Sequence, residues 1–183
     1  STREPQIVRE STTENRSITR TSTRAGERTI GWVDPLAQTF LIDDVGGVFV
    51  TSLDIFFASK DDNIPVTLQI REVVNGYPGK TILPFSEKTL NPSSVNTSTD
   101  GTTATTFTFD SPVYLQENTE YCFVLLANSN NYTTYVARLG ETVLGSDRTI
   151  SQQPYAGVLF KSQNGSTWTA EQNEDIKFKM KRA

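Results

Sequence analysis

Pro65-Val-Thr-Leu-Gln-Ile-Arg-Glu-Val73 alternates apolar and polar residues, with Val66, Leu68 and Ile70 at every second position. Successive side chains of a β-strand point to opposite faces, so the pattern predicts a strand with a buried inner face and a solvated outer face. Turn-forming residues lie on both sides of it, at residues 60–63 and in Asn75-Gly-Tyr-Pro-Gly79. This part of the sequence therefore predicts an antiparallel sheet.

Neighbouring stretches continue the pattern. Residues 48–57 predict a long strand whose buried face carries Phe49, Thr51, Leu53, Ile55 and Phe57. Residues 120–127 are continuously apolar after Tyr121, which predicts a central strand buried on both faces with Cys122 as a structural thiol.

The last part of the sequence predicts further strands. In Asp175-Ile-Lys-Phe-Lys-Met180, Ile176, Phe178 and Met180 share one face, opposite the lysines. In Ser162-Gln-Asn-Gly-Ser-Thr-Trp168, the Asn-Gly pair predicts a hairpin that Trp168 packs onto the sheet. No segment predicts an amphipathic helix, and nine or ten short strands with regular turns predict an all-β antiparallel β-sandwich of the jelly-roll type.

The amino-acid inventory excludes several classes of function. The 183 residues, 36% of them apolar, suffice for one domain with a substantial core. The chain has no histidine and one cysteine, which excludes His-based catalysis, most metal sites and an internal disulfide. No apolar run approaches the roughly 20 residues of a membrane-spanning helix. We expect no enzymatic activity, no cofactor and no membrane span.

Charge is distributed unevenly between two parts of the chain. The net charge of −4 argues against a partner such as nucleic acid or an anionic membrane. Six of the 17 basic and four of the 21 acidic residues lie in residues 1–31, net +2, which leaves 11 basic and 17 acidic residues, net −6, in residues 32–183. We call residues 1–31 the arm and residues 32–183 the body. Because the chain begins at Ser1 rather than methionine, we expect a processed product or a segment of a longer polypeptide.

The arm shows no hydrophobic period. It has too few apolar residues to offset the entropy of ordering, so it is predicted to be disordered when alone in water. One interpretation is a solvated linker. The other is an extended segment that becomes ordered against a partner subunit, with arginines forking onto the partner's carboxylates or carbonyls. The arm residues that would bind the partner are Ile7, Val8, Arg9, Arg16, Ile18, Arg20, Arg24, Arg28 and Ile30.

Acidic residues give only weak indications of chemistry. The turn pairs Asp43-Asp44 and Asp61-Asp62 have the oxygen ligands that calcium prefers, but Asp is also common in solvated turns, and we predict no metal site. Glycoside hydrolysis needs two carboxyl groups facing each other across a cleft. The carboxylates that alternation can place are expected on outward positions or at strand ends; they are Asp54, Glu72, Glu120 and Asp175.

Aromatic residues in or near the predicted loops suggest an alternative function. Sugar rings stack on aromatic side chains while polar neighbours bind their hydroxyls, so the alternative prediction is a carbohydrate-binding module that recognises host surface glycans. Core edges and subunit interfaces use the same residue types. The candidate glycan-binding residues are Tyr77, Tyr132, Tyr135, Tyr155 and Trp168.

Several motifs of the body resemble a family of virion proteins. The motifs are Trp32-Val-Asp-Pro-Leu-Ala-Gln-Thr-Phe40, Ile64-Pro-Val-Thr-Leu-Gln-Ile-Arg71, Ser111-Pro-Val-Tyr-Leu115 with Glu120-Tyr-Cys-Phe123, and Gly157-Val-Leu-Phe with the Asn-Gly hairpin. Together they resemble β-sandwich segments of large virion proteins in contractile-tailed bacteriophages. The resemblance implies a structural module of a tail, baseplate or fibre network that binds other virion subunits, and it implies no catalytic residue.

Overall fold

The structure is a computed structural model that describes residues 6–10, 27–30, 35–138, 156–162 and 167–183, with the backbone alone at residues 6–10, 27–30, 138 and 156. The described residues contain fifteen strands and one short 3-10 helix, Pro92–Ser94. The strands are β1 (Gln6–Glu10), β2 (Glu27–Ile30), β3 (Leu36–Ile42), β4 (Val48–Ile55), β5 (Phe57–Ser59), β6 (Val66–Val74), β7 (Tyr77–Ile82), β8 (Lys88–Leu90), β9 (Thr105–Leu115), β10 (Thr119–Ala127), β11 (Tyr132–Arg138), β12 (Ala156–Ser162), β13 (Trp168–Glu171), β14 (Glu174–Ile176) and β15 (Phe178–Arg182).

These strands form three antiparallel sheets: two built on long strands, which we call the large sheets, and one of four mostly short strands, which we call the smaller sheet. A four-stranded sheet has the order β1-β15-β4-β9, and a seven-stranded sheet has the order β13-β12-β3-β10-β6-β7 with β8 also paired to β6. The smaller sheet has the order β14-β11-β2, with β5 on β11. The long strands β3, β4, β6, β9 and β10 pass back and forth between the two large sheets, as in jelly rolls. The predicted all-β sandwich is confirmed.

The main core lies between the two large sheets. Phe40 and Phe123 come from the seven-stranded sheet and Phe178 from the four-stranded sheet, and all three are at most 2% exposed. The Phe123 and Phe178 ring centroids lie 5.1 Å apart, edge to face, which is a favourable aromatic geometry. The prediction that residues 120–127 form a central strand is confirmed, because β10 pairs with β3 on one side and β6 on the other.

The prediction for the faces of β4 is wrong in its first half. Val48 and Val50 are buried, whereas Phe49 is 54% exposed. The pairing of β4 shifts register between Val50 and Ser52, and such a bulge reverses which residues point inward. After the shift, Leu53 and Ile55 are buried as predicted.

The prediction that the outer face of β6 is solvated is wrong at Gln69, whereas Thr67 and Arg71 on the same face are partly exposed. Gln69 is only 8% exposed, because the seven-stranded sheet curls until Tyr77 on β7 reaches Phe160 on β12, with ring centroids 5.5 Å apart. We call the apolar residues on this face the outer cluster: Ala37, Cys122, Val124 and Phe160, packed by Val73, Leu126, Val158, Trp168 and Ala170. Burial raises the pKa of the Cys122 thiol to about 12, so the thiol stays protonated and structural, as predicted.

The prediction that the arm orders only on another molecule is wrong for two of its segments. β1 pairs antiparallel with β15, with Gln6 opposite Arg182, and β2 pairs with β11, with Ile30 opposite Tyr132. The apolar content of the arm gave no sign of this, because main-chain N–H and C=O groups along a sheet edge bind an added strand whatever its side chains are. The arm residues between these two strands lie outside the described residues.

A buried polar contact joins β14 to the seven-stranded sheet. Gln38 is fully buried; its Nε2 donates to Asp175 Oδ1 at 3.0 Å and its Oε1 accepts from the Ile176 N–H at 2.8 Å. The expectation that Asp175 lies at an outward position or a strand end is therefore wrong, since it is 3% exposed and stands in the middle of β14. Burial raises the pKa of Asp175 to about 6, against the smaller opposing effect of the Gln38 hydrogen bond.

This raised pKa predicts that the protein becomes more stable as the pH falls. The folded state binds the Asp175 proton more tightly than the unfolded chain, so the free energy of unfolding should rise by about 1–3 kcal/mol between pH 7.5 and pH 5. Asp175→Asn keeps an acceptor for Gln38 and removes the titration, and it should flatten most of this slope in urea unfolding. Glu120, whose pKa burial also raises, leaves a residual slope of the same sign. An Asp175→Asn variant with the full wild-type slope would contradict the assignment.

Candidate functional site

The candidate site comprises the two sheet edges that hold the arm. Along the first edge, Ile7 lies opposite Lys181, Arg9 opposite Met180 and Glu10 opposite Lys179, with a register shift between Ile7 and Arg9. On its other side β15 pairs with β4 through Phe178–Arg182, so β1 is the outermost strand of the four-stranded sheet. Only main-chain pairing is required to hold a strand there.

The second edge is built on β11. Glu27, Arg28, Thr29 and Ile30 lie opposite Tyr135, Thr134, Thr133 and Tyr132, in this order. The opposite side of β11 pairs with β5 and β14, which anchor it to the body. β2 is thus an outermost strand as well, and the arm supplies an outermost strand to each of two sheets.

The structure places some of the predicted arm residues and not others. Ile7, Val8 and Arg9 lie in β1, and Arg28 and Ile30 lie in β2. The remaining candidates lie outside the described residues; they are Arg16, Ile18, Arg20 and Arg24.

Electrostatics favours binding of the arm to a body. The arm has a net charge of +2 and the body −6, so the two attract each other, most strongly at low salt, where dissolved ions screen the charges least. This attraction is the same for the body of the same chain and for the body of a second copy.

Two candidate glycan-binding residues are buried. The Tyr132 side chain is fully buried and its hydroxyl donates to the Ile64 carbonyl. The Tyr135 side chain is 2% exposed and its hydroxyl donates to the Ser98 carbonyl at 2.6 Å. Neither ring can stack on a sugar, so the prediction is wrong for both residues. Both lie in β11, next to the turn at residues 128–131 that suggested surface exposure, and their rings pack inside the body.

Of the other three glycan candidates, two lie at the outer cluster and one lies outside the described residues. Tyr77 is 54% exposed and packs on Phe160, and Trp168 is half-buried against the same outer cluster. Tyr155 lies outside the described residues. Of the glycan candidates that the structure describes, only Tyr77 and Trp168, both at the outer cluster, have rings that are not buried.

The Asp61 turn is a folding element rather than an open oxygen site. Asp61 Oδ1 accepts from the N–H groups of Asn63 and Ile64, both at 2.8 Å. Its Oδ2 accepts from Ser129 Oγ at 2.6 Å and Asn131 Nδ2 at 2.9 Å, and these hydrogen bonds, led by that of Ser129, hold the pKa of the carboxyl well below its usual range. In the part of the chain that the structure describes, no three Cys, Asp or Glu side chains gather to hold a metal ion.

Sequence reasoning missed two exposed apolar features. Phe49 and Tyr114 lie side by side on the four-stranded sheet, with ring centroids 5.1 Å apart and about half of each side chain exposed. Phe85, in the turn after β7, is 62% exposed. The exposure of Phe49 follows from the bulge in β4, which the alternation of the sequence does not show. For Phe85, the only indication in the sequence is the run Leu83-Pro-Phe-Ser86, which is apolar at a turn.

Among the described residues, no helix has the length and apolar content to cross a bilayer. The chain matches no protein-family model, and no curated protein is significantly similar to it in sequence.

Proposed function

We propose that this chain is a non-enzymatic structural module of a phage virion, in a tail or baseplate, that binds neighbouring subunits through its arm and the surface of its sandwich. The resemblance of the body to virion β-sandwich segments supports the setting. The observation that carries the assembly role is the arm itself, which lies as an outermost strand on two sheets.

The geometry suggests how such an arm would bind a neighbour. The β15 edge binds β1 through main-chain groups, and the edge of a second copy offers the same groups in the same register. Sixteen residues separate β1 from β2, and a chain of that length spans at most about 55 Å when extended. In a dilute monomer the chain's own edge is favoured by its effective concentration, whereas many copies held side by side favour exchange.

A truncation tests this proposal. The body alone, residues 32–183, should keep a β-sheet circular dichroism spectrum, because the described core residues, from Leu36 to Met180, pack on one another within the body. We expect it to bind a fluorescent peptide of residues 1–31, measured by anisotropy, whereas the full chain binds the peptide more weakly because its own arm competes. Native mass spectrometry of concentrated samples should show oligomers of the full chain and none of the body.

The matched control is a peptide carrying Ile7→Pro and Arg9→Pro, which removes two N–H donors from β1 and should weaken the binding, leaving only the part that β2 contributes. If the truncated body assembles as the full chain does, or binds the proline peptide equally well, the arm is not the docking element.

A further inference from the structure

The turn between β6 and β7 consists of two residues, Asn75 and Gly76. Val74 pairs with Tyr77 across the turn, so the two strands form a tight hairpin. Both turn residues have a positive φ, +52° for Asn75 and +82° for Gly76, which is the backbone that an Asn-Gly pair favours in two-residue hairpin loops. This pair shapes the turn, and the function proposed above gives it no other role.

The side-chain amide of Asn75 and the main-chain nitrogen of Gly76 are both accessible. Both residues are exposed, and neither of these two groups makes a hydrogen bond to any part of the chain that the structure describes. A Cβ built on Gly76 would have no atom within 4 Å, so the space around this residue is open. β7 is an outermost strand of its sheet, so the end of the hairpin can open locally at little cost in free energy.

These two groups can react with each other. The Gly76 nitrogen gives its proton to hydroxide and forms a bond to Asn75 Cγ, while the side-chain nitrogen takes a proton from water and leaves as ammonia. The product is a five-membered cyclic imide. Water then opens one of the two imide carbonyls, which leaves either aspartate or isoaspartate, whose main chain is one carbon longer. Glycine offers the least hindrance to this attack, because it has no Cβ.

A second pair of residues shows an arrangement that restrains the same reaction. Asp100 and Gly101 could close the same ring with loss of water. However, the Asp100 carboxylate accepts from the Thr102 N–H at 3.1 Å and from Thr102 Oγ1 at 2.7 Å. The Gly101 N–H donates to Ser98 Oγ at 3.1 Å. Both reacting groups are thus held by hydrogen bonds, whereas those of the β6–β7 turn are not.

Isoaspartate in the β6–β7 turn changes the packing beside it. The added main-chain carbon lengthens a two-residue loop, and the length of such a loop fixes the register of the hairpin. Tyr77 follows the turn, and its ring lies 5.5 Å from that of Phe160 between centroids. Tyr77 is 54% exposed, so little buried area holds it in this position once the register is disturbed.

We propose that Asn75 is a site of spontaneous deamidation in the folded protein, and that its isoaspartate product breaks the Val74–Tyr77 pairing and separates Tyr77 from Phe160. The reaction consumes only water, so the modified fraction grows with the age of the protein. Each event adds one negative charge to the body, whose net charge is −6. The modification does not involve the arm, and it is independent of the function proposed above.

Peptide mapping of the folded chain tests the site. Trypsin cleaves after Arg71 and Lys80 and releases a peptide in which Asn75 is the only asparagine. After incubation of the intact protein at mildly alkaline pH, mass spectrometry should show this peptide losing its unmodified form with time. Two products of equal mass should replace it, and isoaspartyl methyltransferase should methylate one of them. No other described asparagine precedes glycine, so the other described asparagines should react far more slowly.

Gly76→Ala is the matched control. The new methyl group meets no atom of the fold and costs only the left-handed strain, but it hinders the attack, so the peptide should stay largely unmodified. A synthetic peptide of residues 72–80, which is free to close the ring, shows that the incubation conditions suffice. The site is overturned if Asn75 stays intact in the folded wild type, or if the Gly76→Ala chain deamidates as fast as wild type.

Asn75→Asp separates the added charge from the added main-chain carbon. Chromatography isolates the isoaspartate form of the wild-type chain, and nuclear Overhauser contacts report the distance between the Tyr77 and Phe160 rings. We expect these contacts in the unmodified chain and in Asn75→Asp, and we expect their loss in the isoaspartate form. The structural consequence is overturned if the isoaspartate form keeps them, or if Asn75→Asp loses them as well.

Discussion

Phe178→Ala should lower the free energy of unfolding by about 3–5 kcal/mol. The ring is 2% exposed and lies at the centre of the sandwich, where it contacts Phe123 at 5.1 Å and Phe40 at 6.4 Å between centroids. Its removal leaves a cavity bounded by two β-sheets, and sheets held by ladders of hydrogen bonds relax little to fill such a space. Chemical denaturation, followed by tyrosine and tryptophan fluorescence, measures the loss.

The matched control is Phe49→Ala, the same chemical change at a ring that is 54% exposed. It should cost less than about 1 kcal/mol, because little buried area is lost. Equal losses for the two variants would contradict the placement of the core between the sheets.

Gly47→Ala should lower the free energy of unfolding by about 3 kcal/mol. Gly47 has a φ of +83°, and a Cβ built there would lie 2.5 Å from the Leu115 carbonyl oxygen and 2.5 Å from the Tyr114 hydroxyl. The carbonyl belongs to β9 and cannot move aside without breaking the pairing of Val48 with Leu115. The glycine also donates its N–H to the Asp44 carbonyl at 2.9 Å, closing the β3–β4 turn.

Gly46 gives an unusually close control for this prediction. Its φ is +81°, nearly the same, but a Cβ there would have no atom within 4 Å. Gly46→Ala should therefore cost only the left-handed strain, about 1 kcal/mol. Thermal unfolding of both variants separates the clash from the strain, and equal losses would show that the approach of β9 to the turn is not close.

Much of the fold could be predicted because its signals are local. The alternation in β6 and the continuous apolar run in β10 each identify a strand from adjacent residues alone. The reversal at Thr51 in β4 depends on register with two neighbouring strands, and no feature of the sequence near Thr51 marks it. The burial of Gln69 depends on the curl of the sheet, which adds up over several strands.

The candidate site was less predictable because it, too, depends on contacts between segments that are far apart in the sequence. The two arm strands are held by main-chain groups, which all residues except proline share, so the side chains of the arm say little about where it pairs. Tyr132 and Tyr135 are polar at one atom only, and tertiary contacts decided that this atom meets a buried carbonyl rather than solvent. Phe85 has a φ of +67°, a backbone conformation that a bulky side chain disfavours, so its residue type gave no sign of it.

The position of β15 between β1 and β4 affects the order of events during synthesis. Phe40 packs on Phe178 across 138 positions of sequence, so the sandwich cannot close until β15 has left the ribosome. Until then, a nascent chain presents the edge of β4 and the rings of Phe40 and Phe123 to its surroundings, where they attract chaperones or the nascent chains of adjacent ribosomes. Long separations of this kind also slow folding, so a newly made chain stays open longer than one whose core contacts are local.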